Sequence, residues 1–114
     1  MDYHVTIYVT ENRCYIYDGL SNVAVDTIRR TSYPLVGFVH PSHLDHVRRM
    51  QEGWQELIHY EAERGLCLVL GNPGKKKIEV TMPLVKVMER QIKGVPARTS
   101  KKTLFSIIAQ VVKP

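Results

Sequence analysis

A chain of 114 residues with 16 Lys and Arg against 11 Asp and Glu, net charge +5, has the size of one domain, and a single globular unit over 1–114 is expected. Hydrophobic residues make up 44% and charged residues 24%, which excludes widespread disorder; at this length about two-thirds of the unfolded surface can be buried, so folding requires neither disulfide nor metal. No apolar run reaches the roughly 18 residues of a membrane span, and Met1-Asp2-Tyr3-His4 lacks the basic start and apolar core of a signal peptide, so a cytoplasmic protein with no membrane partner is expected.

Residues 5–10 alternate and are rich in β-formers, as are 13–17, with turn chemistry at Glu11-Asn12 between them; this predicts a β-hairpin ended by Asp18-Gly19. Residues 22–30 fit either a strand or a short capped helix, and the reading leans to helix. Leu35-Val-Gly-Phe-Val39 is a short apolar run with the character of a buried strand. Ser42 then supplies an N-cap, Asp45 a near-capping box, and Leu44, Val47, Met50, Trp54, Leu57, Ile58 and Ala62 recur at helical spacing up to Gly65, which predicts one long helix over 43–64. Gly53 interrupts it and suggests a close contact. Leu66–Leu70 is a second apolar strand, and strand–helix–strand implies a right-handed crossover with parallel pairing.

After the turn Gly71-Asn72-Pro73-Gly74, residues 76–81 alternate as a half-exposed strand. Pro83 is placed to start a short helix carrying Leu84, Val87, Met88 and Ile92 and ended by Gly94. Leu104, Ile107, Ile108 and Val111 follow a Ser100 cap at helical spacing, although 107–112 is also rich enough in Ile and Val for a strand. The fold expected from these elements is a two-layer α/β or α+β domain, a mixed sheet of about four or five strands with the 43–64 helix packed across it.

Gly71-Asn72-Pro73-Gly74-Lys75 begins like a nucleotide phosphate loop, but two residues stand where that loop needs four, Lys76 replaces the required Ser or Thr, and a strand-like segment follows in place of a helix. A basic hairpin tip accounts better for Lys75, Lys76 and Lys77. From Lys75 to Lys113 there are ten Lys or Arg against two Glu. This asymmetry points to a non-enzymatic binding module for nucleic acid or another polyanion, with Lys75, Lys76, Lys77, Arg98, Lys101 and Lys102 as phosphate contacts forming one electropositive surface. Arg29-Arg30 and Arg48-Arg49 are further basic pairs. A protein-interaction or assembly subunit, itself a homo-oligomer, is the alternative in which the charge is incidental.

Two other clusters bear chemistry. His40, His43 and His46 could converge on zinc or another borderline metal, with Asp45 pointing elsewhere, though the spacing is looser than two histidines four apart on a helix with a third ligand. The run Tyr3-His4-Val-Thr-Ile-Tyr8, then Cys14-Tyr-Ile-Tyr-Asp18-Gly-Leu20, resembles the His-to-Asp hairpin of the papain-like peptidases that process ubiquitin and its relatives. That resemblance spans residues 3–20 and implies an imidazole oriented by a carboxylate, His4 by Asp18, if a three-residue loop sets the register. The family's nucleophilic Cys precedes the hairpin at a helix start; here Cys14 and Cys67 lie within strand-like runs and are expected to be reduced, half-buried thiols. A small hydrolase-like or metal-binding protein using His4 and Asp18, or His40, His43 and His46, is therefore a further alternative, and no catalytic residue, metal or cofactor is assigned.

Overall fold

In the computed structural model, six antiparallel strands close into a barrel in the order β1–β2–β3–β4–β5–β6, and β6 pairs back onto β1. The structure describes residues 3–19, 21–49, 57–72 and 77–94, together with Ser100 and Thr103. The strands are β1 (Tyr3–Thr10), β2 (Cys14–Asp18), β3 (Val23–Asp26), β4 (Ser32–Val39), β5 (Cys67–Asn72) and β6 (Lys77–Ile92). A 3-10 turn at Pro41–His43 leads into α1 (Leu44–Arg49), which with the single helical residue Thr103 is the only α-helix among the described residues.

The two-layer expectation is therefore replaced by a barrel. The 43–64 helix is helical from Leu44 to Arg49; residues 50–56, with Gly53, lie outside the described residues, and by 57–60 the chain forms no α-helix. There it returns beside β4 instead, with Phe38 and His59 exchanging backbone hydrogen bonds. Gly37 makes this approach possible, because a Cβ at that position would collide with the Ile58 side chain. β4 and β5 pair antiparallel, Phe38 against Leu68 and Val39 against Cys67. The connection leaves and re-enters the barrel at the same end, so no crossover forms, and the parallel pairing inferred from strand–helix–strand order fails. Residues 22–30 contain a strand and a turn in place of a helix.

The most instructive departure is β6, a strand of 16 residues that runs straight through the helix expected after Pro83. Its first half pairs with β5 and its second with β1, which closes the barrel. Against β1 the register slips by one residue: Val9 faces Lys86 but Thr10 faces Leu84. Val85 is the extra residue of this bulge, half exposed. A one-residue insertion exchanges the faces of a strand on either side of it. Leu84 and Val87 consequently both point into the barrel, while Met88 and Ile92 point outward. The spacing of 84, 87, 88 and 92 looks helical because a bulge has reset a period of two. A second slip, between Cys67 and Val69 in the β5 register, falls beside Pro83, whose missing N–H suits a ladder interruption.

The alternation yields three apolar clusters. Tyr8, Tyr15, Ala24, Phe38, Leu68, Leu70 and Leu84, drawn from all six strands, fill the interior, as expected for a barrel too narrow to be hollow. The Tyr8 ring meets Phe38 edge-on, centroids 5.4 Å apart. On the outside of β4 and β5, Val39, Cys67 and Val69 pack beneath Val47 of α1 and Ile58. Val5, Ile7, Cys14, Ile16, Met88 and Ile92 form the third cluster on the outer face of β1, β2 and β6, with Ile7 and Ile16 fully buried.

Candidate polyanion interface

Strand direction sorts the loops onto two ends. The Glu11–Asn12 turn, the turn of residues 27–31, the end of β5 at Asn72 and the start of β6 at Lys77 all lie at the end where β1 finishes and β2 begins, here the Arg13 end. The start of β1, the β2–β3 turn, α1 and the exit of β6 at Ile92 lie at the other, the His4 end.

At the Arg13 end the 27–31 turn is built around one carboxylate. Asp26, 2% exposed, accepts backbone N–H groups of Ile28 at 2.9 Å and Arg29 at 3.0 Å through Oδ1. Its Oδ2 lies 3.5 Å from Arg13 Nε. The Asp26 backbone closes the same turn, donating to the Thr31 carbonyl and accepting from Arg30 N, both at 2.8 Å. Arg30 adopts φ +58°, left-handed backbone that a non-glycine residue takes only where the surroundings impose it. Both Asp26 oxygens are thus engaged, and Ile28, Arg29 and Arg30 are turned outward, all exposed.

A cleft of about 200 Å³ opens between these turns, lined among others by Arg13, Tyr15, Arg29, Tyr33, Glu79 and Met82. Tyr33 is half-buried, and its phenol oxygen accepts from Thr31 Oγ1 at 2.9 Å. The Tyr15 hydroxyl is pushed up to about 12, first by burial and then by the charge of Asp26, so it remains a neutral phenol at physiological pH.

Of the residues expected to contact phosphate, Lys77 stands exposed at the start of β6, at the Arg13 end. Lys75 and Lys76 lie outside the described residues, in the connection that ends at Lys77. Arg98, Lys101 and Lys102 also lie outside them, and the chain departs toward them from Ile92 at the His4 end. The single surface expected from both groups thus has its two chain attachments at opposite ends of β6. Beyond Ile92, Ser100 Oγ accepts from Thr103 N at 3.2 Å; the helix or strand expected over 104–112 lies outside the described residues. In the sequence Arg29-Arg30 reads only as a further basic pair; that it shares an end of the barrel with Lys77 follows from the antiparallel direction of β3 to β6, which residue types alone do not give.

The hydrolase alternative meets a geometric obstacle. Thr10 N donates to the Arg13 carbonyl across a two-residue loop, and Thr6 pairs with Tyr17. Continued one residue, this register sets Asp18 against Val5, so His4 and Asp18 leave opposite faces of the hairpin. Asp18 is buried and accepts from Ser21 Oγ at 2.9 Å, whereas exposed His4 borders a cleft of about 430 Å³ with Thr6, Tyr17 and Glu89. The resemblance to the peptidase hairpin therefore does not extend to an oriented imidazole. His40, His43 and His46 are all exposed. The His40 and His43 rings are 6.1 Å apart, and His40 Nδ1 is engaged by Ser42. No group of three metal-ligating side chains occurs among the described residues. Burial raises the Cys14 thiol, partly offset by a hydrogen bond with Thr27, which makes it a poor nucleophile.

Compared with models of known families, with curated proteins and with solved structures, the chain finds no match. No helix among the described residues is long and apolar enough to cross a membrane.

Proposed function

We propose that this protein is a non-enzymatic binding module for nucleic acid, engaged through its phosphates at the Arg13 end of the barrel. The observation that carries the reading is topological: strand direction sets the hydrogen-bonded Arg29–Arg30 turn at the same end as Lys77, the first described residue after Lys75 and Lys76. Asp26 is occupied by Arg13 and by two backbone N–H groups, which leaves Arg29, Arg30 and Lys77 facing solvent against Glu11 and Glu79. Arginine and lysine on neighbouring turns suit a backbone of regularly spaced phosphates, and such contacts give salt-dependent affinity with little sequence choice.

Retention on heparin and on immobilised DNA tests this. Charge reversal of Lys75, Lys76 and Lys77 to Glu, or the pair Arg29→Glu with Arg30→Asn (Asn tolerates the left-handed backbone), is expected to move elution to much lower salt. Unchanged elution of both variants removes the proposal.

A further inference from the structure

Within that reading, on which this inference rests, the cleft beside Arg29 has features that phosphate binding leaves unused. We infer that it receives one unpaired nucleobase while the flanking phosphates lie on Arg29 and Arg30, so that the protein selects single-stranded over duplex nucleic acid.

Size is the first argument. About 200 Å³ is below the ~300–1,000 Å³ of sites that take drug-sized ligands, and it accommodates one planar ring system but not a base pair. Walls are the second. Tyr33 is half-buried, packs partly against the interior cluster and lines the cleft, its hydroxyl accepting from Thr31; an aromatic ring beside a cationic rim is the arrangement on which single-stranded bases stack. Charge is the third. Within the cleft the Asp26 carboxylate is already matched by Arg13 and two backbone N–H groups, so the wall there is polar but compensated and suits an uncharged ring, whereas Arg29 and Arg30 stand exposed at its edge. The cleft and the rim thus divide a nucleotide between them, base inward and phosphate outward. A paired base keeps its edge engaged and its faces stacked, so duplex must be unstacked before it enters.

Fluorescence anisotropy with a labelled single strand of about twelve nucleotides, and with its duplex, tests the assignment alongside heparin retention. The expected result is single-strand affinity well above duplex affinity, weakened about tenfold in Tyr33→Leu, retained in Tyr33→Phe, with heparin elution the same for all three proteins. Equal affinity for duplex, or undiminished single-strand binding by Tyr33→Leu, overturns the base cleft and leaves the polyanion reading in place. Heparin retention without measurable single-strand binding does the same. Failure of the unmodified protein to bind either heparin or DNA removes both. A melting curve for each variant identifies one that has not folded, and Arg29→Ser, which alters an exposed side chain, then supplies the comparison: it is expected to weaken single-strand binding, and unaltered binding overturns the inference.

Discussion

Asp26 shows how much of this molecule hangs on a single side chain. It satisfies two backbone donors and one guanidinium from a position 2% exposed, and nothing else within the 27–31 turn can replace those acceptors. Asp26→Ala is expected to lower stability by about 3 kcal/mol, chiefly from buried N–H groups left without a partner, and urea unfolding would measure it. The interior tyrosines make a second prediction. Burial is the leading cause for both, with the Tyr17 hydroxyl and Glu89 adding for Tyr8 and the Asp26 charge for Tyr15, and each phenol is pushed up to about 12 against about 10 in an unfolded chain. Below pH 10 both states keep their protons and this part of the stability is complete; between pH 10 and 12 the unfolded chain loses protons that the folded chain holds, so stability falls as pH rises. Phenolate absorbance should show these two groups titrating last, and Tyr8→Phe with Tyr15→Phe should flatten the alkaline loss. Full-strength phenolate absorbance already at pH 10.5 in folded protein contradicts this.

Among the elements, β6 carries the heaviest constraint, because one strand of 16 residues serves two neighbours and must point apolar groups to different sides along its length. The bulge at Val85 solves this. Deleting Val85 removes only the extra residue: Thr10 keeps Leu84 and Val9 keeps Lys86 as partners, so Leu84, 1% exposed, and Val87 still point inward. The expected outcome is a cooperative urea transition, whereas one residue inserted after Met88, where the alternation is regular, sends Ile92 to the opposite face and is expected to abolish cooperativity; loss of cooperativity on deletion and not on insertion would refute the role given to the bulge. The hairpin of β1 and β2 was legible from residue types alone, since its alternation and its Glu11-Asn12 turn are local. The strand after Pro83 was not, because a bulge mimics helical spacing and no local feature separates the two.

At the scale of the whole molecule, barrel closure does two things for function. It pairs both edges of each described strand, which removes the exposed ladders by which sheets add further chains. It also brings the Glu11–Asn12 turn, the 27–31 turn and the first part of β6, distant in sequence, around one cleft. The heparin experiment has a counterpart here: Arg98, Lys101 and Lys102 follow the chain's exit from the opposite end, so reversing those three is expected to shift elution less than reversing Lys75, Lys76 and Lys77. A larger shift would move the interface to the His4 end.

From residue types alone came the existence of β1, β2, β4, β5 and the first part of β6, and the basic character of Lys75 to Lys77, all set by spacing within a few residues. Tertiary structure alone decided that these strands pair antiparallel and close, that the helix after Ser42 is α1 and no longer α-helical by residue 57, that His4 and Asp18 face apart, and that Arg29 and Arg30 share an end of the barrel with Lys77. Each of those depends on register and on contacts between residues far apart in the chain, and a one-residue slip, invisible in composition, reverses which face a side chain occupies.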